Sequence, residues 1–302
     1  MPSPTLTIGL PVYNKAPFLR DCLRSVFAQS WSDWELVVAD DGSSDESLSI
    51  LKSIFDPRLR LVGAGLHQGL GACLNLITAN ARGRYIARMD ADDMMHPSRL
   101  ERQLRILLER PDLDGLGCGM VVLDKDLRLI GTKLNPIDHT AICTDPLTGI
   151  RLAHATFVAR AEWFRSHPYN NDSYGCEDWE LLFSTFGKSR FANIPEPLYF
   201  YRELDSFTVP KYLQRQLRSS YFSWQHGRGQ FGRARTAWHC GKRFARGLVY
   251  ASAGMFGIAG LLVKRRYVPV DPVSAQQLHS AVEQIRAGSL PVSPAALASQ
   301  IP

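Results

Sequence analysis

The chain has 302 residues, 45% of them hydrophobic, and this length can bury about three quarters of its unfolded surface, enough for one large domain with an appendage. The net charge of +6 is unevenly placed, because residues 206–270 hold twelve Lys and Arg and no Asp or Glu, so the remainder carries a net −6. The six cysteines form no Cys-x-x-Cys pair, which argues against a zinc knuckle or a disulfide framework and favours a reducing cytosol.

Apolar runs alternate with helical patterns in the first third of the chain. Strands are predicted over residues 5–10, 34–39, 59–62 and 85–89. Helices are predicted over residues 16–27, 69–79 and 97–108, and a further helix is predicted to begin near Asp45. This alternation predicts an α/β fold with a doubly wound sheet flanked by helices. Ligands of such sheets bind at the carboxyl ends of the strands.

The C-terminal part of the chain is predicted to be mostly helical. Residues 247–263 carry no charge, and this length of 17 residues is at the short limit for a membrane-spanning helix. Four glycines also weaken this run as an isolated helix. Residues 278–285 show a short apolar pattern that predicts one more helix before a loose tail. Because basic residues flank the uncharged run, we expect an interfacial helix or re-entrant hairpin at an anionic membrane surface, or else a helix packed on the main domain.

Polar clusters follow three of the predicted strands. Residues 11–14 follow the first strand, Asp40-Asp41-Gly42-Ser43 follows the second and Asp90-Ala91-Asp92-Asp93 follows the fourth. These loops are expected to open on one edge of the sheet, where carboxylates offer oxygen ligands to a divalent cation shared with substrate phosphates. The chain has no Gly-x-Gly-x-x-Gly and no Gly-Lys-Ser/Thr sequence, so a nucleotide would be held by side chains and a metal.

Each cluster taken alone also has a structural explanation. The acidic clusters are typical of solvated turns, and Glu177-Asp178 is typical of a helix N-terminus. Tyr13 and Trp179 are typical packing aromatics, and His154 is typical of a core histidine.

Taken in order, the clusters resemble the successive signatures of the family-2 glycosyltransferases, whose fold is of the GT-A type. The matching sequences are IGLPVYNK at 8–15, VVADDGSSD at 37–45, YIARMDADD at 85–93, CEDWEL at 176–181 and the pair Tyr201-Arg202. The likeness covers about residues 5–206 and implies a mixed sheet, an inverting transfer from a nucleoside diphosphate sugar, and Mg²⁺ or Mn²⁺ as cofactor. A uridine diphosphate sugar is the favoured donor.

The resemblance also implies roles for individual residues. Tyr13 would face the base, Asp41 would accept its N–H, and Asp90 and Asp92 would bind the metal that bridges to the diphosphate. Asp178 would be the general base, with Glu177 beside it as a supporting residue. The remaining candidates are Pro11, Asn14 and Arg88 for nucleotide-sugar binding, and His154, Trp179 and Arg202 on the acceptor side.

Two departures from the family pattern bear on the donor site and on the product. His67-Gln68-Gly69 stands where the family commonly has Asn-x-Gly, and Leu74 stands where a basic residue often precedes Asn75. The missing cation near the diphosphate would then come from Arg88 or Arg84, or the metal would act alone. No Gln-x-x-Arg-Trp sequence follows Asp178, which predicts transfer of a single sugar rather than polymer extrusion.

These expectations define a division of the chain. A glycosyltransferase domain is predicted over residues 1–208, with a nucleotide-binding half over 1–110 and an acceptor half over 111–208, followed by a basic helical region over 209–302. We expect a cytoplasmic enzyme, peripheral at the inner face of the membrane, whose acceptor is a saccharide or a lipid-linked saccharide of bacterial polysaccharide assembly. The alternatives are a non-catalytic carbohydrate- or nucleic-acid-binding module, with nucleic acid the less expected partner, and a sugar-phosphate nucleotidyltransferase.

Overall fold

The computed structural model describes residues 3–63, 65–173, 175–203, 209–255 and 267–292, apart from the side chains of residues 211 and 255. Within these residues, nine strands form one sheet in the order β3-β2-β1-β4-β8-β6-β9-β5, and β7 pairs with β6 outside this order. The strands are β1 (Leu6–Val12), β2 (Trp34–Asp40), β3 (Leu59–Leu61), β4 (Tyr85–Arg88), β5 (Met94–Met95), β6 (Gly115–Leu123), β7 (Leu129–Lys133), β8 (Val158–Arg160) and β9 (Phe191–Arg202).

Helices cover both faces of the sheet and continue beyond it. They are α1 (Ala16–Phe27), α2 (Ser47–Ser53), α3 (Leu70–Asn80), α4 (Arg99–Glu109), α5 (His139–Ile142), α6 (Ala161–Ser166), α7 (Glu177–Thr185), α8 (Val209–Gln230), α9 (Arg233–Met255) and α10 (Pro272–Ala287), with a 3-10 turn at His154–Thr156. The predicted α/β alternation is confirmed, since β1 to β4 and α1 to α4 lie within a few residues of the predicted bounds.

The parallel strands at the centre of the sheet place the candidate loops together. β1 runs parallel to both β2 and β4, with Val12 opposite Asp40 and Gly9 opposite Arg88. All seven residues of β2 are buried, as is typical of parallel strands that are covered on both faces. On α1, Leu19 and Cys22 are among the residues that pack inward. The three strands therefore end at one edge, as the sequence predicts.

The second half of the sheet makes it mixed. β8 is antiparallel to both β4 and β6, whereas β9 is parallel to β6. The predicted mixed GT-A type architecture with flanking helices is therefore confirmed.

The C-terminal region is helical, and it is partly built into the main domain. Ala281, Val282 and Ile285 of α10 pack in one apolar cluster with residues of β5, β6 and β9. Val268 pairs with Thr132 at the end of the sheet. The predicted boundary near residue 208 falls in 204–208, outside the described residues. Of the uncharged run 247–263, the first nine residues belong to α9 and the other eight lie outside the described residues. Among the described helices, none is long and apolar enough to cross a bilayer.

Candidate active site

Asn14 connects the loops that follow β1 and β2. Its Oδ1 accepts the backbone N–H of Ser44 at 2.8 Å, and its own N–H donates to Ser43 Oγ at 3.0 Å. Asn14 has φ of 51°, a left-handed conformation that asparagine adopts more readily than most residues. Asn14 therefore shapes the loop that carries Tyr13 and Lys15. Pro11 lies half-buried within β1, directly before this loop.

The predicted base pocket is occupied by a side chain of the protein itself. The imidazole of His67 stacks on Tyr13 with ring centroids 4.1 Å apart and an interplanar angle of 23°. Its Nδ1 lies 2.8 Å from Asp41 Oδ2. The same carboxylate accepts the backbone N–H groups of Gln68 and Gly69 at 2.7 and 3.0 Å. His67 thus makes both contacts that the resemblance assigns to a bound base.

Asp90 and Asp92 lie in a turn directly after β4, because the N–H of Asp93 donates to the carbonyl of Asp90 at 3.2 Å. Their side chains are 27% and 25% exposed, whereas the side chain of Asp93 is buried. Asp90 Oδ2 pairs with Arg88 Nη1 at 2.6 Å, and Asp92 Oδ2 pairs with Lys15 Nζ at 2.5 Å. The turn therefore presents two carboxylates to solvent, each already beside a cation.

The donor set of this turn fits a divalent ion whose shell is completed by substrate. No group of three or more His, Cys, Asp or Glu that could hold a metal occurs among the residues the structure describes. The ion pairs use Oδ2 of Asp90 and of Asp92, which leaves Oδ1 of each carboxylate for coordination. Mg²⁺ typically takes one or two carboxylates together with phosphate oxygens and water.

Asp93 supports the turn from below. Its Oδ1 accepts the backbone N–H of Arg202 at 2.8 Å, and burial, followed by the nearby carboxylates, raises its pKa well above the ordinary value. The Tyr199 hydroxyl accepts the backbone N–H of Asp90 at 3.1 Å. The Arg202 guanidinium is buried and pairs with Asp21 of α1 at 2.8 Å. Arg202, an acceptor-side candidate by sequence, therefore ties β9 to α1 at the base of the turn.

Two buried polar residues, His154 and Tyr169, lie between the Asp-x-Asp turn and the second half of the domain. His154 Nε2 lies 2.7 Å from the Tyr169 hydroxyl oxygen, and burial together with Arg88 lowers the pKa of His154 well below its ordinary value. Burial raises the pKa of Tyr169, and Asp178 and Asp90 raise it further. Arg88, which pairs with Asp90, lines the same small cavity as Tyr169, so the Asp-x-Asp turn and the segment that precedes α7 meet there.

The acidic residues Glu177 and Asp178 form the first turn of α7, where the helix dipole stabilises negative charge. Glu177 is buried and accepts the N–H of Gly175 at 2.9 Å. Asp178 is half-buried, and its Oδ1 accepts the N–H of Trp179 at 2.7 Å. The Trp179 ring stacks on Phe183 with centroids 4.6 Å apart, so it also serves the packing role that its residue type predicts.

Asn75 of α3 holds the loop that precedes α7. Its Nδ2 donates to the carbonyl of Tyr169 at 2.8 Å, and its Oδ1 accepts the N–H of the same residue at 2.9 Å. The helix that carries Asn75 begins beside Gly69, whose N–H is bound to Asp41. One helix therefore supports both the base pocket and the Glu-Asp segment.

A cavity of about 480 Å³ lies at the opposite edge of the sheet. It is lined by Thr5, Gly83 and Arg84, which precede β1 and β4. This cavity therefore lies away from the carboxylates of the candidate site. Arg84 therefore lies away from the Asp-x-Asp turn, whereas Arg88 contacts Asp90 and Lys15 contacts Asp92.

The sequence alone did not identify Lys15, His67, Tyr169 or Asn75 as site residues. Lys15 and His67 lie inside or next to matching motifs, so their position was an available signal. Tyr169 has no such signal, because it is tied to the site through Asn75, which lies 94 positions away in the chain.

A comparison with protein families supports this reading of the chain. The model of glycosyl transferase family 2 matches residues 7–158, half of the chain. The chain belongs to glycosyl transferase family 2. The matched residues include the base pocket and the Asp-x-Asp turn, and they end before α7.

Two relatives extend the family likeness. An uncharacterised glycosyltransferase of Haemophilus influenzae is 28% identical over 211 residues, 66% of this chain and 65% of the relative. The succinoglycan biosynthesis protein ExoO of Rhizobium meliloti is 36% identical over 163 residues, 54% of this chain and 44% of ExoO. The matches therefore span slightly less than two thirds of the first relative and less than half of the second.

Two solved structures share the fold. TarS of S. aureus, residues 1–349, has a TM-score of 0.58 at 15% identity, covering 93% of this chain and 79% of TarS, and it has also been solved with UDP and with UDP-GlcNAc. The mannosyltransferase PcManGT of Pyrobaculum calidifontis, solved with GDP-Man and Mn²⁺, has a TM-score of 0.58 at 16% identity, covering 94% of this chain and 85% of PcManGT. At such identities the likeness establishes the fold alone.

Proposed function

We propose that the protein is an inverting glycosyltransferase that moves one sugar from a nucleoside diphosphate sugar to a hydroxyl of a saccharide or lipid-linked saccharide in bacterial polysaccharide biosynthesis. The observation that carries this proposal is that α3 joins the two candidate clusters: the N–H of Gly69, just before this helix, binds Asp41, and a Cβ at Gly71 would stand 3.6 Å from Glu177 Cγ. Family membership and the relative ExoO support sugar transfer in polysaccharide assembly. The complexes of TarS with UDP and UDP-GlcNAc and of PcManGT with GDP-Man support a nucleotide-sugar donor, and the sequence resemblance favours a uridine diphosphate sugar.

The donor half of the proposal rests on the residues at the carboxyl edge of β1, β2 and β4. Pro11, Tyr13, Asn14 and Asp41 would surround the base and ribose, and Asp90 and Asp92 would hold Mg²⁺ or Mn²⁺. When bound, such an ion supplies positive charge to the departing diphosphate. The Mn²⁺ in PcManGT supports the use of a divalent ion. Lys15 and Arg88 already lie beside these carboxylates and would face the same phosphates.

The acceptor half of the proposal assigns Asp178 as the general base. Its carboxylate would take the proton of the acceptor hydroxyl while that oxygen attacks the anomeric carbon on the face opposite the diphosphate. Because this is a single displacement with no covalent glycosyl-enzyme, the anomeric configuration is inverted. Glu177, which is fixed to the N–H of Gly175, would hold the segment in place.

Replacing Asp178 with asparagine tests the assignment. We expect kcat to fall by roughly 10²- to 10⁴-fold, the range typical of a general base, while the Kd for donor and Mn²⁺ changes by less than about threefold. The exposed Asp172, six residues earlier in the same segment, gives the matched control, and Asp172→Asn should retain activity. An active Asp178→Asn enzyme, or retention of anomeric configuration in the NMR spectrum of the product, would overturn the proposal.

We also propose that residues 1–208 form the transferase domain, and that the basic region over 209–302 keeps the protein at the cytoplasmic face of the membrane, peripheral to it. This part is supported by the charge distribution, with twelve cationic and no acidic residues over 206–270. Cations near an anionic bilayer contribute about 1 kcal/mol each. Salt-dependent release of the protein from a membrane fraction is the expected behaviour, and a fully soluble distribution at low salt would contradict it.

A further inference from the structure

α8 and α9 form an antiparallel helical hairpin whose inner side is well packed. Tyr250 of α9 contacts Tyr212 of α8, with ring centroids 4.4 Å apart, and Cys240 Sγ donates to the carbonyl of Ser220 at 3.4 Å. Arg243 donates to the carbonyl of Leu147 at 2.6 Å and so joins α9 to the main domain. The inward-facing side of α9 therefore packs against α8 and the main domain.

The opposite side of α9 is apolar and exposed. Trp238, Phe244, Leu248 and Val249 are 64%, 61%, 53% and 57% exposed. At about 100° per residue, these four positions span an arc of about 140° that faces away from the packed stripe. The other positions in this arc carry no charge either, being Ala234, Ala237, Gly241, Ala245 and Ser252. A helix face that meets only water typically carries charged residues, so this face is expected to have a partner.

Cations border the apolar arc on one side. Arg235, Lys242 and Arg246 follow one another at seven and four residues along α9, and all three are exposed. The Lys242 ammonium lies 5.2 Å from the centre of the Trp238 ring. Arg235 lies 4.0 Å from Asp145 of the main domain, and no Asp or Glu occurs over 206–270 to offset Lys242 and Arg246. An apolar face with Trp, Phe and Leu next to a basic stripe is the pattern of helices that lie in a membrane interface.

Charge complementarity selects the partner. A second copy of the chain would bring this basic stripe against an identical stripe, which costs energy through like-charge repulsion. An anionic bilayer instead offers phosphate groups to the cations and acyl chains to the apolar arc. Trp238 suits this position, since indole rings prefer the boundary between headgroups and hydrocarbon.

We propose that the exposed face of α9, Trp238, Phe244, Leu248 and Val249 with the border Arg235, Lys242 and Arg246, is the surface through which the protein lies on an anionic lipid bilayer. This inference rests on the proposed membrane location and deepens it by naming the helix face. The proposed membrane contact thus begins before the uncharged run 247–263 in the chain, and it lies on a helix that Arg243 joins to the main domain. α9 then lies parallel to the bilayer, with the main domain held at its surface.

Sedimentation of the full chain with vesicles tests the surface. We expect binding to vesicles that contain phosphatidylglycerol and much weaker binding to phosphatidylcholine alone. Each cation near an anionic surface strengthens partitioning roughly fivefold, so the double change Lys242→Gln and Arg246→Gln should weaken it roughly 30-fold. The double change Trp238→Ser and Leu248→Ser should weaken binding to both kinds of vesicle. The controls Phe55→Ser and Arg105→Gln remove an exposed aromatic and an exposed cation elsewhere and should bind as wild type.

Donor hydrolysis without acceptor separates this inference from the proposed function. The α9 variants should hydrolyse the donor in solution as fast as wild type, because none of their changed residues touches the site. Vesicle binding without any hydrolysis would refute the enzyme and leave the surface intact. Equal sedimentation of the α9 variants and wild type would overturn the surface, and so would self-association of the chain through α9 in the absence of lipid.

Discussion

Replacing His67 with alanine is expected to tighten the binding of UDP. In the structure the imidazole stacks on Tyr13 at 4.1 Å and its Nδ1 lies 2.8 Å from Asp41, so a base that uses these two groups must first displace it. An aromatic pair contributes about 0.5–1.5 kcal/mol, and a contact with a carboxylate from a side chain that is 57% exposed contributes about 0.5 kcal/mol. The cost of displacement is therefore about 1–2 kcal/mol, which corresponds to a Kd roughly 5- to 30-fold lower in the variant.

Isothermal titration of UDP into the two proteins measures this difference. Gln68→Ala is the matched control, because it shortens the neighbouring exposed side chain while keeping the backbone N–H that binds Asp41 at 2.7 Å. In a Tyr13→Ala background the gain from His67→Ala should shrink, since the stacking partner is already gone. If His67→Ala instead weakens UDP binding by more than about threefold, the imidazole contacts the bound nucleotide, and the displacement argument is refuted.

Three other substitutions probe the scaffold of the site. Arg99→Met should lower the free energy of unfolding measured in urea by about 2–4 kcal/mol, because this buried guanidinium donates to two backbone carbonyls at 3.0 and 3.3 Å. The control Arg102→Met removes an exposed cation and should change the free energy of unfolding by less than about 1 kcal/mol. Equal losses in the two variants would contradict the reasoning. Burial holds the pKa of His154 below the value of 6.5 expected in the unfolded chain, so the free energy of unfolding of the wild type should fall as the pH drops below 6.5. His154→Gln should reduce this dependence of the free energy of unfolding on pH. An unchanged dependence would refute the argument. Asn75→Ala should lower kcat about tenfold with donor KM within about threefold, whereas Asn80→Ala should be neutral, and a purely KM effect would argue against a positioning role.

The central sheet was predictable because its signals are local. The runs that form β1 and β2 are mostly apolar, and the inward face of α1 repeats at helical spacing, so these elements follow from local sequence patterns alone. The carboxylates Asp41, Asp90 and Asp92 were predictable as neighbours, because parallel strands end at a common edge. Their roles in catalysis and binding stay predictions until tested by substitution.

The rest of the site depends on packing between distant segments, which periodicity does not carry. The loop before α3 folds back on Asp41 because the carboxylate binds two successive backbone N–H groups, and only that return brings His67 onto Tyr13. Arg99 reads as a surface residue at the start of α4, yet it is fully buried, because it satisfies carbonyls from two other segments. Such residues are recognised only when the partner atoms are known.

The arrangement around α3 limits what must move when a donor binds. Gly71, in the first turn of this helix, lies so close to the Glu-Asp segment that a Cβ there would stand 3.3 Å from the carbonyl of Asn170 and 3.6 Å from Glu177 Cγ. The same helix begins where Gln68 and Gly69 are bound to Asp41.

Departure of the imidazole removes its contact with Oδ2 of Asp41, while Oδ2 keeps its 3.0 Å bond to the N–H of Gly69 and Oδ1 keeps its 2.7 Å bond to the N–H of Gln68. The loop therefore stays anchored, and because His67 is exposed, we expect a rotation about its side-chain bonds to move the ring off Tyr13 without moving the backbone. Because α3 and the segment packed on it are held by other contacts, donor binding should leave the position of Asp178 unchanged. A rotamer change at one residue, rather than closure of a loop, is thus the smallest motion that opens the base pocket.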